Sequence, residues 1–583
     1  MNTPEKTLSL TAAVESVAED YLALLGAHGV DYLYMGAGTD TAPLVEAYAR
    51  AQRPGHVSPR YPVPIVAVHE NLAVGMAHGY TMVTGRPQAV MLHVSVGAAN
   101  AVCGIMNAAR AQIPMLFTAG RTPLYDHGHK GSRNSEIHWA QEMFDQAGMI
   151  RELVKWDYEL RDGLQVRDII ERALTIAQTH PRGPVSLTLP REVLAQTPAT
   201  PTALSGVPCP LPLPCGPAPD AQGVRKIAQA FTTAMCPVIV CTASGADPET
   251  VAPLVALCER FGIGVAEANG RVMNFPTDHP LYLGRSVAEL TPHADALLFL
   301  ESDVPWLPGR SEPPAATFVA HAGTDPLFAR YPSRAFRSDV TLTTTVAALL
   351  PALDTALADA APTTSSRRDR VESLAAQLAA VRGRRWTQAV GTDDNAPINK
   401  SFLSQCINEF KPADAIVVNE YSLQRDGLDL IQPGAYFGMP PSAGLGWGMP
   451  AALGAQQAAP GRMVIGVFGD GAYLFANPAA CHQAAEMHGL PVLTVVYNNE
   501  CWGAVQSAAL GVYPDSHTAA VTQAGRKAPL ASIAPVPDFE RYVEASRGYG
   551  ERVTVRAQLR PALQRAAKAV RSGRQALLNV IGS

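Results

Sequence analysis

The chain has 583 residues, of which 47% are hydrophobic and 17% charged, and a formal net charge of -5; this composition is typical of a well-buried globular protein of three or four domains and excludes a disordered chain. The slight acidic balance gives no basic surface for nucleic acid, and no uninterrupted apolar run is long enough to span a bilayer. Because the N-terminal segment also lacks the pattern of a signal peptide, we expect a cytoplasmic protein that binds neither nucleic acid nor membrane.

The first third of the chain alternates predicted strands with helices. Apolar runs at residues 64–68, 88–94 and 115–119 have the length of buried strands. Between the first two, residues 71–83 repeat apolar side chains at four-residue spacing, which predicts a helix, and a Gly-Arg-Pro stop signal follows.

Two stretches, residues 197–221 and 361–370, are predicted linkers that divide the chain into domains at 1–195, 222–360 and 388–583. In the second domain and the segment after it, strands are predicted at 237–241, 264–266 and 296–301, and helices at 248–261 and 371–381. In the third domain, strands are predicted at 415–419, 463–468 and 491–497. The fold class is therefore α/β, with three consecutive domains built on parallel sheets.

Polar residues follow two strands of the third domain. Gly469-Asp470-Gly471 ends one strand and Asn498-Asn499 ends the next along the chain. Carboxylate and amide oxygens at neighbouring strand ends suit Mg²⁺, which usually shares a substrate phosphate. The glycines would let the backbone approach that phosphate closely.

This arrangement resembles the signature of thiamine diphosphate-dependent enzymes of the acetohydroxyacid synthase-like superfamily. The resemblance implies that Asp470, Asn499 and the carbonyl of Cys501 hold Mg²⁺, although the spacing leaves open whether Asn498 or Asn499 is the ligand. It further implies that the cofactor contacts the residues that surround Asp470 in the signature, namely Gly469, Gly471 and Ala472.

A carboxylate, Glu70, stands between the strand at 64–68 and the helix behind it. Burial there would raise the pKa of Glu70 and suit it to proton transfer, whereas the plainer alternative is a glutamate that favours a helix N-terminus. The segment from His69 to Tyr80 resembles the family's glutamate-and-helix segment, in which the glutamate hydrogen-bonds the aminopyrimidine of the cofactor. The likeness continues into residues 95–101 as a Gly-rich turn, which implies that Ser95 and Asn100 contact the cofactor.

Two further segments have counterparts in the family. Gly444 and Leu445 lie in a glycine-dense turn before a helix, where the family places a bulky side chain that supports the bent cofactor; a core leucine is the alternative. Tyr421 and Ser422 follow a predicted strand, where the family binds diphosphate oxygens through backbone amides.

The resemblance also implies the assembly. The family's domains run in the order pyrimidine-binding, central and diphosphate-binding. Its cofactor lies between the first domain of one subunit and the third domain of the neighbouring subunit. The minimal active unit is then a homodimer, and a tetramer is expected. Related enzymes bind FAD or ADP in a Rossmann-like central domain, so either nucleotide is possible here, although the sequence has no fingerprint for one.

Glu500 suggests a reaction, because its carboxylate follows the metal-binding asparagine and could exchange a proton with a substrate hydroxyl. With residues 121–123 and 135–146 it resembles bacterial 2-hydroxyacyl-CoA lyases, which split a short 2-hydroxyacyl-CoA into formyl-CoA and an aldehyde or ketone. The resemblance implies that residues 135–146 bring polar side chains to the substrate pocket. His138 and Gln141 are the further catalytic candidates there, and Glu142 is a candidate for the same pocket. The alternatives are a 2-oxo-acid carboligase or decarboxylase of the acetolactate synthase type and a non-catalytic subunit. The acyl chain length and the direction of the reaction stay open.

Overall fold

The computed structural model describes residues 14–54, 60–198, 212–360 and 365–582. Parts of both predicted linkers, at 199–211 and 361–364, therefore lie outside the described residues. Within the described ranges, no helix is both long and apolar enough to cross a membrane.

The first sheet has six described strands: β1 (Tyr32–Gly36), β2 (Val63–Val66), β3 (Gln88–Leu92), β4 (Met115–Arg121), β5 (Asp157–Glu159) and β6 (Pro184–Pro190). Their order is β2-β1-β3-β4-β6-β5, and all neighbouring pairs are parallel. The accompanying helices are α1 (Val17–Ala27), α2 (Ala42–Ala51), α3 (Glu70–Thr84), α4 (Val94–Arg110), α5 (Ile137–Ala140), α6 (Val166–Gln178) and α7 (Arg191–Leu194). Fully buried side chains such as Leu33, Leu116 and Leu187 form part of its core.

The second sheet has six described strands: β7 (Pro237–Cys241), β8 (Gly264–Glu267), β9 (Tyr282–Gly284), β10 (Ala296–Leu300), β11 (Phe318–Gly323) and β12 (Val340–Thr343). Their order, β12-β11-β10-β7-β8-β9, is that of a doubly wound nucleotide-binding sheet. Its helices are α8 (Ala221–Thr233), α9 (Val251–Phe261), α10 (Val287–Leu290), α11 (Val346–Ala360) and α12 (Ser365–Val390).

The third sheet has six described strands: β13 (Ile416–Glu420), β14 (Tyr436–Gly438), β15 (Val464–Gly469), β16 (Leu493–Asn498), β17 (Tyr549–Val553) and β18 (Ala576–Ile581). They lie in the order β14-β13-β15-β16-β18-β17 and are again all parallel. The helices of this region are α13 (Lys400–Phe410), α14 (Gly448–Ala458), α15 (Asp470–Phe475), α16 (Pro478–Met487), α17 (Gly503–Val512), α18 (His517–Gln523), α19 (Phe539–Ala545) and α20 (Arg556–Arg571). Single 3₁₀ turns lie at Thr39–Thr41, Ala147–Met149, Gly163–Gln165, Ser244–Ala246, Pro248–Thr250 and Arg425–Gly427.

The prediction of three α/β domains with parallel sheets is confirmed. Two local predictions are wrong. Residues 95–101, predicted as a turn, lie inside α4, and residues 365–370, predicted as linker, begin α12. In the second case, α12 packs Val371 into the central core, so tertiary burial stabilises a helix in a polar sequence.

The chain forms two compact units. The first contains the described residues up to Pro214 together with Pro440–Ala458, and the second contains the remaining described residues. Within the first unit, α14 packs along α3. A Cβ atom on Gly79 would lie only 2.0 Å from the carbonyl oxygen of Ala451, so glycine is required for this approach. The packing fixes α3, which begins at Glu70.

Candidate active site

Glu70 is the first residue of α3 and is half-buried. His69 caps the helix, because its side chain accepts a hydrogen bond from the backbone N–H of Asn71. On α4, Asn100 donates from Nδ2 to Oε2 of Glu70 over 3.2 Å. One carboxylate oxygen is thus held by an amide, and Glu70 and Asn100 come together as the sequence predicts.

A close pair, Asp40 and His93, lies at the same edge of the first sheet. The two residues follow β1 and β3, which are neighbouring parallel strands. Nδ1 of His93 lies 2.5 Å from Oδ1 of Asp40, which is buried, and the backbone N–H of Val94 donates to Oδ2 of the same carboxylate. The hydrogen bond to Asp40 raises the pKa of His93; burial opposes this, and the charges of Asp40 and Glu70 add to it. The raised pKa therefore favours the charged imidazolium form of His93, which lies within electrostatic range of Glu70.

Gln141 lies on the other side of that imidazole. Its Nε2 is 3.4 Å from Nε2 of His93, and its Oε1 is buried with no hydrogen bond among the described residues. A half-turn of the amide would exchange the two atoms and let Oε1 accept the Nε2–H of protonated His93. Ser95 is buried near the start of α4, and its hydroxyl donates to the carbonyl of Gln141 over 2.7 Å. Gln141 and Ser95 are thus assembled with His93.

His138 is buried in α5, close to the same group. Its Nδ1 accepts from the backbone N–H of Asn134 over 3.3 Å, and its carbonyl accepts from Arg133. Burial lowers the pKa of His138, and the positive charges of Arg191, Arg133 and His93 lower it further. His138 is thus hydrogen-bonded within its own loop, and its catalytic role stays a prediction.

Asn107, at the far end of α4, holds the turn that contains Gly444 and Leu445. Its Oδ1 accepts from the backbone N–H of Gly444 and the hydroxyl of Ser442, and its Nδ2 donates to the carbonyl of Gly444 over 2.9 Å. Leu445 itself is half-buried. The turn belongs to the first compact unit, although it lies in the predicted third domain of the sequence.

In the second unit, Asp470 begins α15 and is 3% exposed. Its two oxygens accept from the backbone N–H groups of Gly471 (2.7 Å) and Asn499 (3.0 Å). Burial raises the pKa of Asp470, and backbone N–H groups that include those of Glu500 and Cys501 counteract the effect.

The neighbouring groups fit Mg²⁺. Asn498 is buried and its amide is bonded to Asn579 and to the backbone of Glu500, whereas the side chain of Asn499 makes no hydrogen bond among the described residues. This favours Asn499 as the ligand beside Asp470. Among the described residues no cluster of three His, Cys, Asp or Glu side chains could hold a metal, so a metal here would rely on one carboxylate, one amide and a backbone carbonyl, which are hard oxygen donors.

The glycines around Asp470 have different surroundings. A Cβ atom on Gly471 would lie 2.0 Å from the ring of Trp502, so this glycine makes room for an aromatic side chain rather than for a phosphate. Gly469 at the end of β15 is more open, since only the hydroxyl of Ser422 lies within 4 Å of such an atom, at 3.7 Å. Ala472 is buried in the first turn of α15. Only Gly469 therefore offers the close backbone approach that the sequence suggested.

Glu500 is exposed and has a left-handed backbone, with φ of 53°. The backbone N–H of Ile533 donates to its carbonyl over 3.1 Å, and the carbonyl of Cys501 accepts from Gly503 over 2.8 Å. A glutamate in this region is strained, and such strain is concentrated at functional sites.

Tyr421 and Ser422 follow β13. Tyr421 has φ of 70°, and its side chain is 45% exposed. The backbone N–H of Ser422 donates to Oδ1 of Asn419, so this amide is not open for a diphosphate oxygen as the sequence suggested. The Ser422 hydroxyl, by contrast, is fully buried and has no hydrogen-bond partner among the described residues. It is the group here that a ligand would satisfy.

Polar groups of the central domain lie where a doubly wound sheet would bind a nucleotide. A ligand of a doubly wound sheet binds where the strand order reverses, here beyond the ends of β7 and β10. Thr242 and Ser302 follow these strands, are buried and bond each other over 2.9 Å, and the Arg334 side chain donates to the Ser302 carbonyl. These groups are already hydrogen-bonded within the protein, and FAD or ADP in this domain stays an expectation.

The sequence reasoning missed the Asp40–His93 pair. Each residue alone is unremarkable in the sequence, and only the pairing of β1 with β3 brings them together. The available signal was position: His93 lies near the end of the apolar run at 88–94, and Asp40 lies four residues after the end of β1 at Gly36. Parallel sheets collect functional side chains beyond such strand ends.

Comparison with known proteins places these groups in context. The chain matches the families described as "Thiamine pyrophosphate enzyme, N-terminal TPP binding domain" over residues 15–149 and "Thiamine pyrophosphate enzyme, C-terminal TPP binding domain" over residues 423–580. Glu70, Asp40 and His93 lie in the first match, and Asp470 and Asn499 lie in the second. Both matches support thiamine diphosphate as the cofactor.

Three proteins illustrate the similarity along the chain. Benzoylformate decarboxylase of Pseudomonas aeruginosa is 26% identical, and the match covers 83% of this chain and 86% of that protein. The acetolactate synthase large subunit of Mycobacterium tuberculosis is also 26% identical, with coverage of 88% and 87%. The solved structure of the thiamine diphosphate-dependent 4-hydroxybenzoylformate decarboxylase of Rhodococcus jostii has the same fold, with a TM-score of 0.77, 23% identity and coverage of 97% and 99%.

Proposed function

We propose that this chain, which belongs to the thiamine pyrophosphate enzyme family, decarboxylates a 2-oxo acid and can transfer the remaining acyl group to a second carbonyl compound. The sequence favoured a 2-hydroxyacyl-CoA lyase and kept this activity as the alternative. Similarity to a benzoylformate decarboxylase and an acetolactate synthase instead supports the 2-oxo-acid activity as the main proposal and the lyase as the alternative.

The observation that carries the proposal is the pair of Asp40 and His93. A 2-oxo acid bears a carboxylate directly on the reacting carbonyl, and an imidazolium is a suitable partner for it. The raised pKa of His93 favours that charge, and the charge of Glu70 contributes to it. In a 2-hydroxyacyl-CoA the reacting carbonyl belongs to the thioester, and the group in the place of the carboxylate is a neutral hydroxyalkyl carbon, which would make no use of a cation.

Different residues would hold the two ends of the cofactor. Thiamine diphosphate, when bound, supplies an electron sink for cleavage of a carbon–carbon bond beside a carbonyl group. Glu70 would hold the aminopyrimidine of the cofactor while Asn100 keeps the other carboxylate oxygen in place. Asp470, Asn499 and the carbonyl of Cys501 would hold Mg²⁺ and, through it, the diphosphate.

His93 would then act on the substrate. Asp40 holds its Nδ1, so Nε2 is the nitrogen left to bind the substrate carboxylate and to give a proton after CO₂ has departed. Without substrate the Gln141 amide lies 3.4 Å from that nitrogen, and the substrate carboxylate would take its place.

A lyase remains the second candidate, because of Glu500. Its strained backbone holds an exposed carboxylate next to Asn499, where a proton exchanged with a substrate hydroxyl would be useful. An acyl-CoA substrate is thus kept as the competing proposal.

A homodimer is proposed as the active unit, and a tetramer as its usual assembly. Three valines before Glu70 have side chains that are about half exposed, Val63 (54%), Val66 (48%) and Val68 (50%). Such an apolar strip beside a functional carboxylate is what a subunit interface would cover. Sedimentation at several protein concentrations tests this; a monomer that is active at every concentration would contradict it.

The activity is tested on purified protein supplied with thiamine diphosphate and Mg²⁺. We expect CO₂ from benzoylformate or pyruvate, and a His93→Asn variant about 10²–10⁴-fold slower, which is the usual range for a proton-transfer group. His293→Asn is the matched control, since His293 is exposed in the central domain. Formyl-CoA from 2-hydroxyisobutyryl-CoA without CO₂ from either 2-oxo acid would select the lyase instead.

A further inference from the structure

Lys400 lies in the second unit beside the groups predicted to hold the diphosphate. It is the first residue of α13, whose N-terminus is capped by Asn399. Its ammonium donates to the carbonyl of Tyr421 over 3.2 Å and lies 5.6 Å from the centre of the Tyr497 ring. The side chain is therefore held in place on one side of the loop that follows β13.

The charge of Lys400 is only partly satisfied. Burial lowers its pKa, and the negative charge of Asp470 opposes that effect, which places the two groups within electrostatic range. An ammonium has three donors, and among the described residues only the hydrogen bond to Tyr421 is formed. Two donors are left for a ligand.

Ser422 provides an independent sign of a ligand at the same place. Its hydroxyl is completely buried, has no hydrogen-bond partner in the described part of the chain, and faces the open position at Gly469. Buried hydroxyls without a partner are rare. A ligand with several acceptor oxygens would satisfy both this hydroxyl and the ammonium.

We propose that Lys400 binds a phosphate oxygen of the thiamine diphosphate cofactor and so adds a fixed protein cation to a site otherwise neutralised by the metal. The inference rests on the cofactor of the proposed function, but not on the substrate. The charges are compatible, because Mg²⁺ would neutralise Asp470 while a diphosphate carries enough negative charge for both cations.

The competing explanation is structural. Lys400 could serve only to offset the buried charge of Asp470 and to hold the Tyr421 carbonyl. In that case its removal would disturb the domain in the same way whatever ligand is offered. The number of phosphates on the ligand separates the two explanations.

The experiment measures dissociation constants by tryptophan fluorescence, with Mg²⁺ present, for thiamine diphosphate and thiamine monophosphate. The Trp502 ring, which packs over Gly471, is a nearby reporter. For Lys400→Met we expect binding of the diphosphate to weaken about 10–100-fold, as for a lost hydrogen bond to a charged group. The monophosphate should weaken less, and Lys400→Arg should retain most of the affinity.

The matched control is Lys411→Met, because Lys411 stands at the other end of α13 and its pKa is likewise lowered by burial. Unchanged affinity in Lys400→Met, or an equal loss for both ligands, would overturn the proposal. If the Met variant does not fold, Lys400→Arg and competition by inorganic diphosphate with Mg²⁺ against the wild type decide: absence of competition overturns it. A wild type that binds cofactor but does not decarboxylate would contradict the proposed function alone.

Discussion

His93 and Asp40 are 53 residues apart in the chain, yet Nδ1 of one lies 2.5 Å from Oδ1 of the other. The carboxylate is almost completely buried, while the imidazole is partly exposed. A buried acceptor fixes the ring at Nδ1, and Nε2 then lies beside the Gln141 amide, 3.4 Å away. The buried carboxylate therefore positions the imidazole as a proton donor, and the pair is not a chance surface contact.

Asp40→Asn should change the pH dependence of the reaction. The hydrogen bond to Asp40 raises the pKa of His93, so its loss moves the basic limb of the kcat profile to lower pH. The stability contributed by the pair is present below the unfolded pKa of histidine and is lost as the pH rises through the raised folded value. Wild type and variant should thus differ more in melting temperature at about pH 6 than at about pH 9. Equal pH profiles in the two proteins would refute the role of Asp40.

Gly120→Ala should destabilise the first domain. A Cβ atom there would lie 1.6 Å from Oδ2 of Asp40, so the carboxylate or the strand must move. Overpacking of this kind costs about 1–3 kcal/mol, and loss of the pair should lower decarboxylation as well. Denaturant unfolding measures the first effect. Gly383→Ala, which has open space around it in α12, is the control and should be neutral or slightly stabilising. Equal stability of the two variants would contradict the packing argument.

The sheets could be predicted from the sequence because their strands are continuous apolar runs that end in polar or glycine residues. The run at 237–241 coincides with β7, and the run at 463–468 is displaced by one residue from β15. Buried parallel strands have this pattern regardless of what surrounds them. The residues that end these runs, such as Asp470, could be recognised for the same reason.

Other features depend on contacts between distant segments and could not be predicted. The small residues at 95–101 suggested a turn, but packing of α4 against the sheet overrides the low helix propensity of glycine. Asn107 has no motif of its own, and its role at Gly444 appears only once α4 lies against that turn. The polar sequence of α12 likewise gave little sign of its buried Val371.

Asp470→Asn should abolish Mg²⁺-dependent retention of thiamine diphosphate, since it removes the anionic ligand from a set of otherwise neutral oxygens. Cofactor that co-elutes with the protein after gel filtration, with and without a chelator, measures this. Asp414→Asn serves as the control, because Asp414 is exposed before β13. If the Asp470 variant keeps wild-type, chelator-sensitive retention, the metal site is elsewhere.

Glu70→Ala should leave cofactor binding largely intact and slow hydrogen–deuterium exchange at the thiazolium carbon by about 10²–10⁴-fold. Asn100→Ala, which removes the hydrogen bond to Oε2 but keeps the carboxylate, should have a smaller effect in the same direction. An exchange rate that is unchanged in the Glu70 variant would exclude this residue from proton transfer.

Glu500 allows stability and reaction type to be separated. Its φ of 53° is unfavourable for a glutamate but not for glycine. Glu500→Gly should therefore stabilise the protein by about 0.5–1 kcal/mol in denaturant unfolding, after allowance for the greater freedom of glycine in the unfolded chain.

Glu500→Gln keeps the strain and the size of the side chain but removes its charge. If the protein is a 2-oxo-acid decarboxylase that relies on His93, both variants should decarboxylate within about tenfold of the wild type, because Glu500 has no part in that proton transfer. If it is a lyase, both should lose formyl-CoA production. The glycine variant should gain stability in either case, because that gain depends only on the backbone. A decarboxylase that fails in both variants would instead assign Glu500 to the reaction that we give to His93.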